Sequence, residues 1–224
     1  MEKYFDLLLA SPLFADIDSK ELDSLLNCLS ARAVSFQKGA PVFLEGDPAG
    51  TIGFVLEGAV QIVHDDFYGN RTLMSVAEQG ELFGETFACA KTETMPLSGY
   101  ALQECTILWL ECRKMLTVCS NACGFHNTLV KNLLQVVARK NLALSSKIRV
   151  MSRKTTREKL MAYLFEQAKK AGSTAFTIPL SRQALADYLG VERSAMSAEL
   201  SKLRADGLLE TKGSWFRLST KNNI

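Results

Sequence analysis

Histidine, proline and tryptophan are scarce in this chain: two, five and two among 224 residues. The two histidines, His64 and His126, stand far apart in sequence, so a proton relay or metal centre built on imidazoles has little to draw on. No run of about 18 apolar residues occurs, which leaves no segment fit to cross a bilayer as a helix. No cationic start leads into an apolar core of signal length. The expectation is a cytoplasmic protein that meets no membrane. Among six cysteines there is no Cys-x-x-Cys pair, and in that compartment they read as reduced thiols. Paired carboxylates, a nucleophile triad and a phosphate-cradling glycine loop are also missing, so no catalytic residue is nominated and no enzyme is expected.

What is present is an uneven charge. The net formal charge is only +2, yet residues 1–138 carry 9 Lys+Arg against 17 Asp+Glu, and residues 139–224 carry 17 against 7. A basic C-terminal part beside an acidic N-terminal part is the electrostatic footprint of a nucleic-acid-binding domain joined to something else.

The stretch Ser181 to Gly207 explains the basic part. Ser181 suits an N-cap, Leu185 and Leu189 share a face, and Gly190 can end a first short helix. A second helix follows with Met196, Leu200 and Leu203 as its apolar stripe, while Arg193, Ser194, Ser197, Ala198 and Ser201 form the opposite face. That outer face is slim and rich in hydrogen-bonding groups, as a helix entering a DNA major groove about 12 Å wide requires. An ordinary amphipathic hairpin with a solvated polar face is the plainer reading of the same pattern. Leu208–Thr211 and Trp215–Leu218 flank a Lys212-Gly213-Ser214 turn and read as a β-hairpin, the wing beside a helix-turn-helix.

Upstream, Leu22, Leu25, Leu26 and Leu29 mark a helix capped by Asp18 or Ser19. From Val34 the texture changes to short apolar runs punctuated by glycines, namely Val42–Leu44, Ile52–Leu56, Val60–Val63, Leu73–Ala77 and Thr106–Leu110. Such spacing predicts a β-sandwich or barrel, with Tyr68-Gly69-Asn70 at a hairpin tip. Residues 113–123 read as helical, and a long helix is predicted from about Phe125. Along it Val130, Leu134, Val137, Asn141, Leu144, Ile148 and Met151 alternate spacings of four and three, a heptad seam for a partner helix. The single Asn141 in that seam suits a two-stranded pairing in fixed register. A second line, Leu129, Leu133, Val136 and Ala143, is expected to pack on the barrel. Arg153-Lys154 reads as a hinge, and Thr155 with Glu158 as a capping box opening the next helix. The expected class is α+β, an N-terminal jelly-roll β-barrel, a long dimerisation helix and a C-terminal winged helix-turn-helix. The boundaries are 1–123, 124–152 and 153–224.

In this order the residues resemble the Crp/Fnr family of bacterial transcription regulators over essentially the whole chain. The residues that carry the resemblance are Lys38-Gly39, Glu45-Gly46-Asp47, Gly80-Glu81-Leu82-Phe83-Gly84-Glu85, the long helix, Ser181-Arg182-Gln183 and Gly190 to Ser194. The resemblance implies a homodimer binding double-stranded DNA as an inverted repeat, RNA polymerase as a partner, and an effector held in the barrel. It implies phosphate contacts at Ser181, Arg182 and Gln183, and base reading at Arg193 and Ser194, to which the outer face adds Ser197 and Ser201. The effector pocket it implies comprises Phe83, Gly84, Glu85, Leu97, Ser98, Leu144 and Ser145. In cyclic-AMP-binding members an Arg-Ser pair neutralises the phosphate. Here Leu97 replaces that Arg beside Ser98, and Leu144 is apolar where a hydroxyl meets the adenine. A buried phosphate would lose its charge-assisted contact, so a cyclic nucleotide is not the expected ligand, and the pocket is left to a different small molecule or to none.

The cysteines leave one further candidate. Cys119, Cys123 and His126 stand at i, i+4 and i+7, which on one continuous helix would share a face and could hold a metal or haem or act as a thiol switch. Cysteine is also a common core residue, and the spacing matches no strong metal signature. A winged helix serving protein contact, and a thiol redox enzyme, are the rival functions; the charge asymmetry speaks against the first and the missing Cys-x-x-Cys against the second.

Overall fold

The computed structural model describes residues 1–117 and 124–219, and the chain divides into two compact units, Met1–Arg139 and Lys140–Ile224. The border falls inside one helix. It differs from the boundary at residue 153 read from sequence, because Val150 is buried in the core of the second unit.

The first unit opens with a short 3-10 turn, then α1 (Phe5–Ala10) and α2 (Ser19–Cys28). Asp18 caps α2, its Oδ1 accepting from the Lys20 amide at 2.9 Å. Eight strands follow: β1 (Arg32–Phe36), β2 (Pro41–Phe43), β3 (Thr51–Glu57), β4 (Ala59–Asp65), β5 (Arg71–Glu78), β6 (Leu82–Phe83), β7 (Ser98–Ala101) and β8 (Cys105–Glu111). They form two antiparallel four-stranded sheets, ordered β1-β8-β3-β6 and β2-β7-β4-β5, the jelly roll expected. Between β6 and β7 lies α3 (Glu85–Ala90), which no periodicity in the sequence predicts, and α4 (Cys112–Leu116) follows β8.

The central strands of the first sheet, β3 and β8, are buried on both faces. Alternate residues of β3 and β8 point to opposite sides. Ile52, Phe54, Leu56, Leu108 and Leu110 join a core with Leu8, Leu22 and Leu25 of the N-terminal helices, while Val55, Cys105 and Ile107 join a core shared with the second sheet. This is why the strands read as solid apolar runs and not as alternation. Two glycines permit the inner packing: a Cβ on Gly53 would fall 2.1 Å from the Phe83 ring, and one on Gly99 2.2 Å from Phe43.

The long helix α5 spans Gly124–Met151. Phe125, Leu129 and Leu133 enter the outer core of the first unit with Val136 packed at its edge. Ala143, expected on the same line, is exposed and belongs to the second unit. Asn132 is buried and donates through Nδ2 to the carbonyls of Leu13 (3.0 Å) and Ala15 (2.7 Å), pinning α5 to the segment between α1 and α2.

In the second unit α6 (Thr156–Ala171) begins with the complete capping box of Thr155 and Glu158 and ends at Gly172 in the left-handed conformation. After β9 (Ala175–Thr177) come α7 (Arg182–Leu189), α8 (Arg193–Ala205), β10 (Leu209–Lys212) and β11 (Trp215–Leu218), and the three strands form one sheet ordered β10-β11-β9. Arg153-Lys154 lies between α5 and α6, within this unit.

Candidate nucleic-acid interface and barrel cavity

The helix-turn-helix is set by caps and by one shared core. Ser181 accepts from the Ala184 amide at 3.1 Å, and Gly190 closes α7 with φ +60°. Leu185, Ala186 and Leu189 of α7 pack with Met196, Leu200 and Leu203 of α8, all buried. Arg157 of α6 reaches α8 from outside, with Nη1 3.3 Å from Glu199 and Nη2 2.7 Å from Asp206. Nothing in the spacing announced this tie, since its partners lie on a different helix.

With that face fixed inward, Arg193, Ser194, Ser197, Ala198 and Ser201 are all exposed. The Arg193 guanidinium has no partner among the described residues, whereas the Ser194 hydroxyl donates to Glu192 at 3.4 Å and that of Ser201 to the Ser197 carbonyl at 3.1 Å. A row of short hydroxyls headed by an unpaired guanidinium can present donors and acceptors to base edges. Ser181 and Gln183 are exposed at the start of α7, with the Gln183 amide donating to Asp187 at 2.9 Å.

Arg182 is placed differently from the expected phosphate contact. Its guanidinium lies 4.8 Å from the Phe216 ring centre, Nη2 donates to Thr211 Oγ1 at 2.6 Å, and Nη1 is buried with no hydrogen-bond partner among the described residues. Burial lowers its pKa from the usual arginine value. The residue ties α7 to the wing, whose Thr211 hydroxyl in turn donates to the Trp215 carbonyl at 2.9 Å.

In the first unit, Phe83 and Gly84 line a cavity of about 340 Å³. Glu85, Leu97 and Ser98 do not line it: Glu85 is buried in the first turn of α3, Leu97 is half-buried, and Ser98 is buried with its hydroxyl accepting from the Glu45 amide at 3.0 Å. Leu144 and Ser145 are exposed on the part of α5 that belongs to the second unit.

Of the cysteine–histidine set, Cys119 and Cys123 lie outside the described residues. His126 is 2% exposed, its Nε2 3.7 Å from Cys28 Sγ and its Nδ1 without a partner among the described residues. The Cys28 contact joins residues 98 apart in sequence, beyond the reach of a spacing argument. Among the described residues no three His, Cys, Asp or Glu side chains are grouped to hold a metal. Cys89 and Cys112 are free thiols with sulfurs 3.8 Å apart, and burial pushes Cys112 up to about 12.

Comparison with known proteins assigns both halves. Residues 33–122 match the cyclic nucleotide-binding domain, and residues 158–221 match the Crp-like helix-turn-helix domain. The chain belongs to the Crp/Fnr family of transcription regulators. The CRP-like protein Clp of Xanthomonas euvesicatoria is 24% identical over 183 residues, 77% of each chain. Among solved structures, the c-di-GMP-responsive regulator Clp of Xanthomonas campestris has a TM-score of 0.59 at 20% identity, over 91% of this chain and all of that one. DNR of Pseudomonas aeruginosa has a TM-score of 0.52 at 21% identity, over 99% and 96%. The order of barrel, long helix and helix-turn-helix found here is the fold of these regulators, and DNA binding belongs to the matched C-terminal domain. No described helix is long and apolar enough to cross a membrane.

Proposed function

We propose that this regulator acts in the cytoplasm as a homodimer that reads an inverted repeat, one α8 in each of two major grooves about one helical turn apart. The observation that carries the reading is the exposed row from Arg193 to Ser201, set opposite the buried Met196, Leu200 and Leu203. Arg193 pairs with a guanine edge, Ser194, Ser197 and Ser201 supply the shorter contacts, and Ser181 and Gln183 meet phosphates. RNA polymerase is the partner such a regulator acts upon, and the chain works by binding and not by turnover.

Dimerisation runs along the α5 seam. Leu134, Leu144 and Ile148 are 69%, 57% and 58% exposed, with Val130, Asn141 and Met151 exposed between and beside them and Val137 half-buried. Apolar side chains left in water at heptad spacing support a second copy as the partner. The barrel senses a small effector other than cyclic AMP. Leu97 stands where a phosphate would need a cation, and the Ser98 hydroxyl already serves the Glu45 amide. An effector acts only by favouring one arrangement of the dimer over another.

Footprinting of the full chain on a selected operator and on random DNA, across a salt series, tests the reading. Protection of an inverted repeat that weakens steeply with salt is the expected result. Equal affinity for operator and random DNA at every salt concentration would overturn it.

A further inference from the structure

The first sheet carries a cross-strand row that the regulatory reading does not use. Arg32 on β1 faces Trp109 on β8, Trp109 faces Gly53 on β3, and Gly53 faces Phe83 on β6. Because Gly53 has no side chain, the Phe83 ring lies across its position. There it meets Trp109 edge-on at 5.5 Å and Phe43 in a stack at 5.7 Å. These three rings, with Val42 and Met95, line the 340 Å³ cavity, and Arg32, exposed on β1, lines it too. The volume lies at the lower end of ordinary small-molecule pockets, about 300–1,000 Å³.

Arg32 is unusual for this chain. Where other arginines neighbour an aromatic ring in a sheet, they lie over it and pair with an acid. Arg71 sits 4.4 Å from the Tyr100 ring and 2.8 Å from Asp65, and Arg217 sits 5.2 Å from Trp215 and 3.6 Å from Glu210. Arg32 has neither ring nor carboxylate as a partner among the described residues, although Trp109 is its cross-strand neighbour. The other charged group lining the cavity, Asp47, is engaged in its own turn, with Oδ2 accepting from the Leu44 amide at 2.7 Å. Aromatic walls favour a flat ring, and an exposed guanidinium fork with no partner among the described residues favours a carboxylate.

We infer that this cavity binds a small planar aromatic carboxylate, its ring against Phe83 and Trp109 and its acid group on Arg32. The inference rests on the proposed reading of the barrel as the effector-sensing part and names the class of ligand. It involves Phe83 and Gly84 of the expected pocket and sets Glu85, Leu97 and Ser98 outside the binding contacts.

Isothermal titration of the full chain with phenylacetate, indole-3-acetate, neutral indole and tryptamine tests it. The acids should bind saturably, one per chain, with indole weaker and tryptamine weakest. Arg32→Gln should weaken the acids by roughly tenfold to a hundredfold while leaving indole unchanged, and Arg32→Lys should fall between. Arg32 is exposed on an edge strand, so both variants should fold. The inference is overturned if the acids give no saturable heat at about 1 mM, if tryptamine binds as well as they do, or if Arg32→Gln binds them like the parent. DNA binding measured on the same samples separates the two readings. Bound operator with no acid binding defeats only the ligand class, and loss of both defeats the regulatory reading as well.

Discussion

The guanidinium of Arg182 lies 4.8 Å from the centre of the Phe216 ring, joining the first helix of the helix-turn-helix to the wing. A cation over a buried ring, with a 2.6 Å hydrogen bond to Thr211, gives this residue a structural part in a position where the family places a phosphate contact. Arg182→Ala should lower stability by about 1–2 kcal/mol and reduce operator binding while leaving the salt dependence of DNA binding unchanged. Arg182→Lys keeps the charge but loses the planar fork, and should recover little. The slope of log affinity against log salt decides: a fall of about one unit in Arg182→Ala would make it a phosphate contact instead.

Arg193 offers the contrasting case. It heads α8, exposed and with no partner among the described residues, so its removal should leave the fold intact. Arg193→Ala should lower the ratio of operator to random-DNA affinity by roughly 10- to 100-fold, the loss of about 1–3 kcal/mol of base discrimination. Competition binding at one fixed salt concentration measures that ratio directly.

Leu144 tests the seam. It is 57% exposed on α5, so a lysine there costs the single chain little while placing like charges together in a paired helix. Leu144→Lys should give monomers by light scattering and lose cooperative binding to the inverted repeat. A variant that stays dimeric would remove this stripe from the interface.

Cys112 yields a pH prediction. Burial raises its thiol from the ordinary 9.0 to about 12, so at pH 8 roughly one thiol in ten thousand is ionised. Alkylation of Cys112 by iodoacetamide should therefore be negligible until the chain unfolds, with mass spectrometry as the readout. The folded chain keeps a proton that the unfolded chain releases above pH 9. Stability is thus at its full value below pH 9 and falls as the pH rises toward about 12. Urea midpoints across that window should decline, and those of Cys112→Ala should decline less.

Asn132 supplies a fifth measurement. Its amide satisfies the carbonyls of both Leu13 and Ala15. Asn132→Leu would strand two acceptors against an apolar side chain and should cost about 2–4 kcal/mol by urea unfolding.

The elements that could be read from sequence were those whose cause is local. Ser181, Gly190, the Thr155–Glu158 box and the α8 stripe follow from caps and 3.6-residue spacing, and each stands where those rules put it. The strands of the jelly roll were equally legible, because glycine turns bound apolar runs. What escaped were relationships formed by the fold. The α3 helix is too short to show a period, and Asn132 looks like any surface amide until its carbonyl partners are known. Arg182 carries the family's motif, yet the wing, 29 residues on at Thr211, takes its guanidinium. The resemblance puts the barrel pocket at the Phe83–Glu85 turn, Leu97-Ser98 and Leu144-Ser145, whereas the cavity joins Phe83 and Gly84 to residues of β1, β2 and β8.

Leu129 and Leu133 of α5 lie in the first core, and Val150 near the end of the same helix lies in the second. Adding a single residue between Arg139 and Leu142 would turn the later residues of α5 by about 100° about the helix axis, carrying Leu144 and Ile148 off the stripe begun by Val130 and Leu134. For this stretch, spacing is as tightly constrained as chemistry.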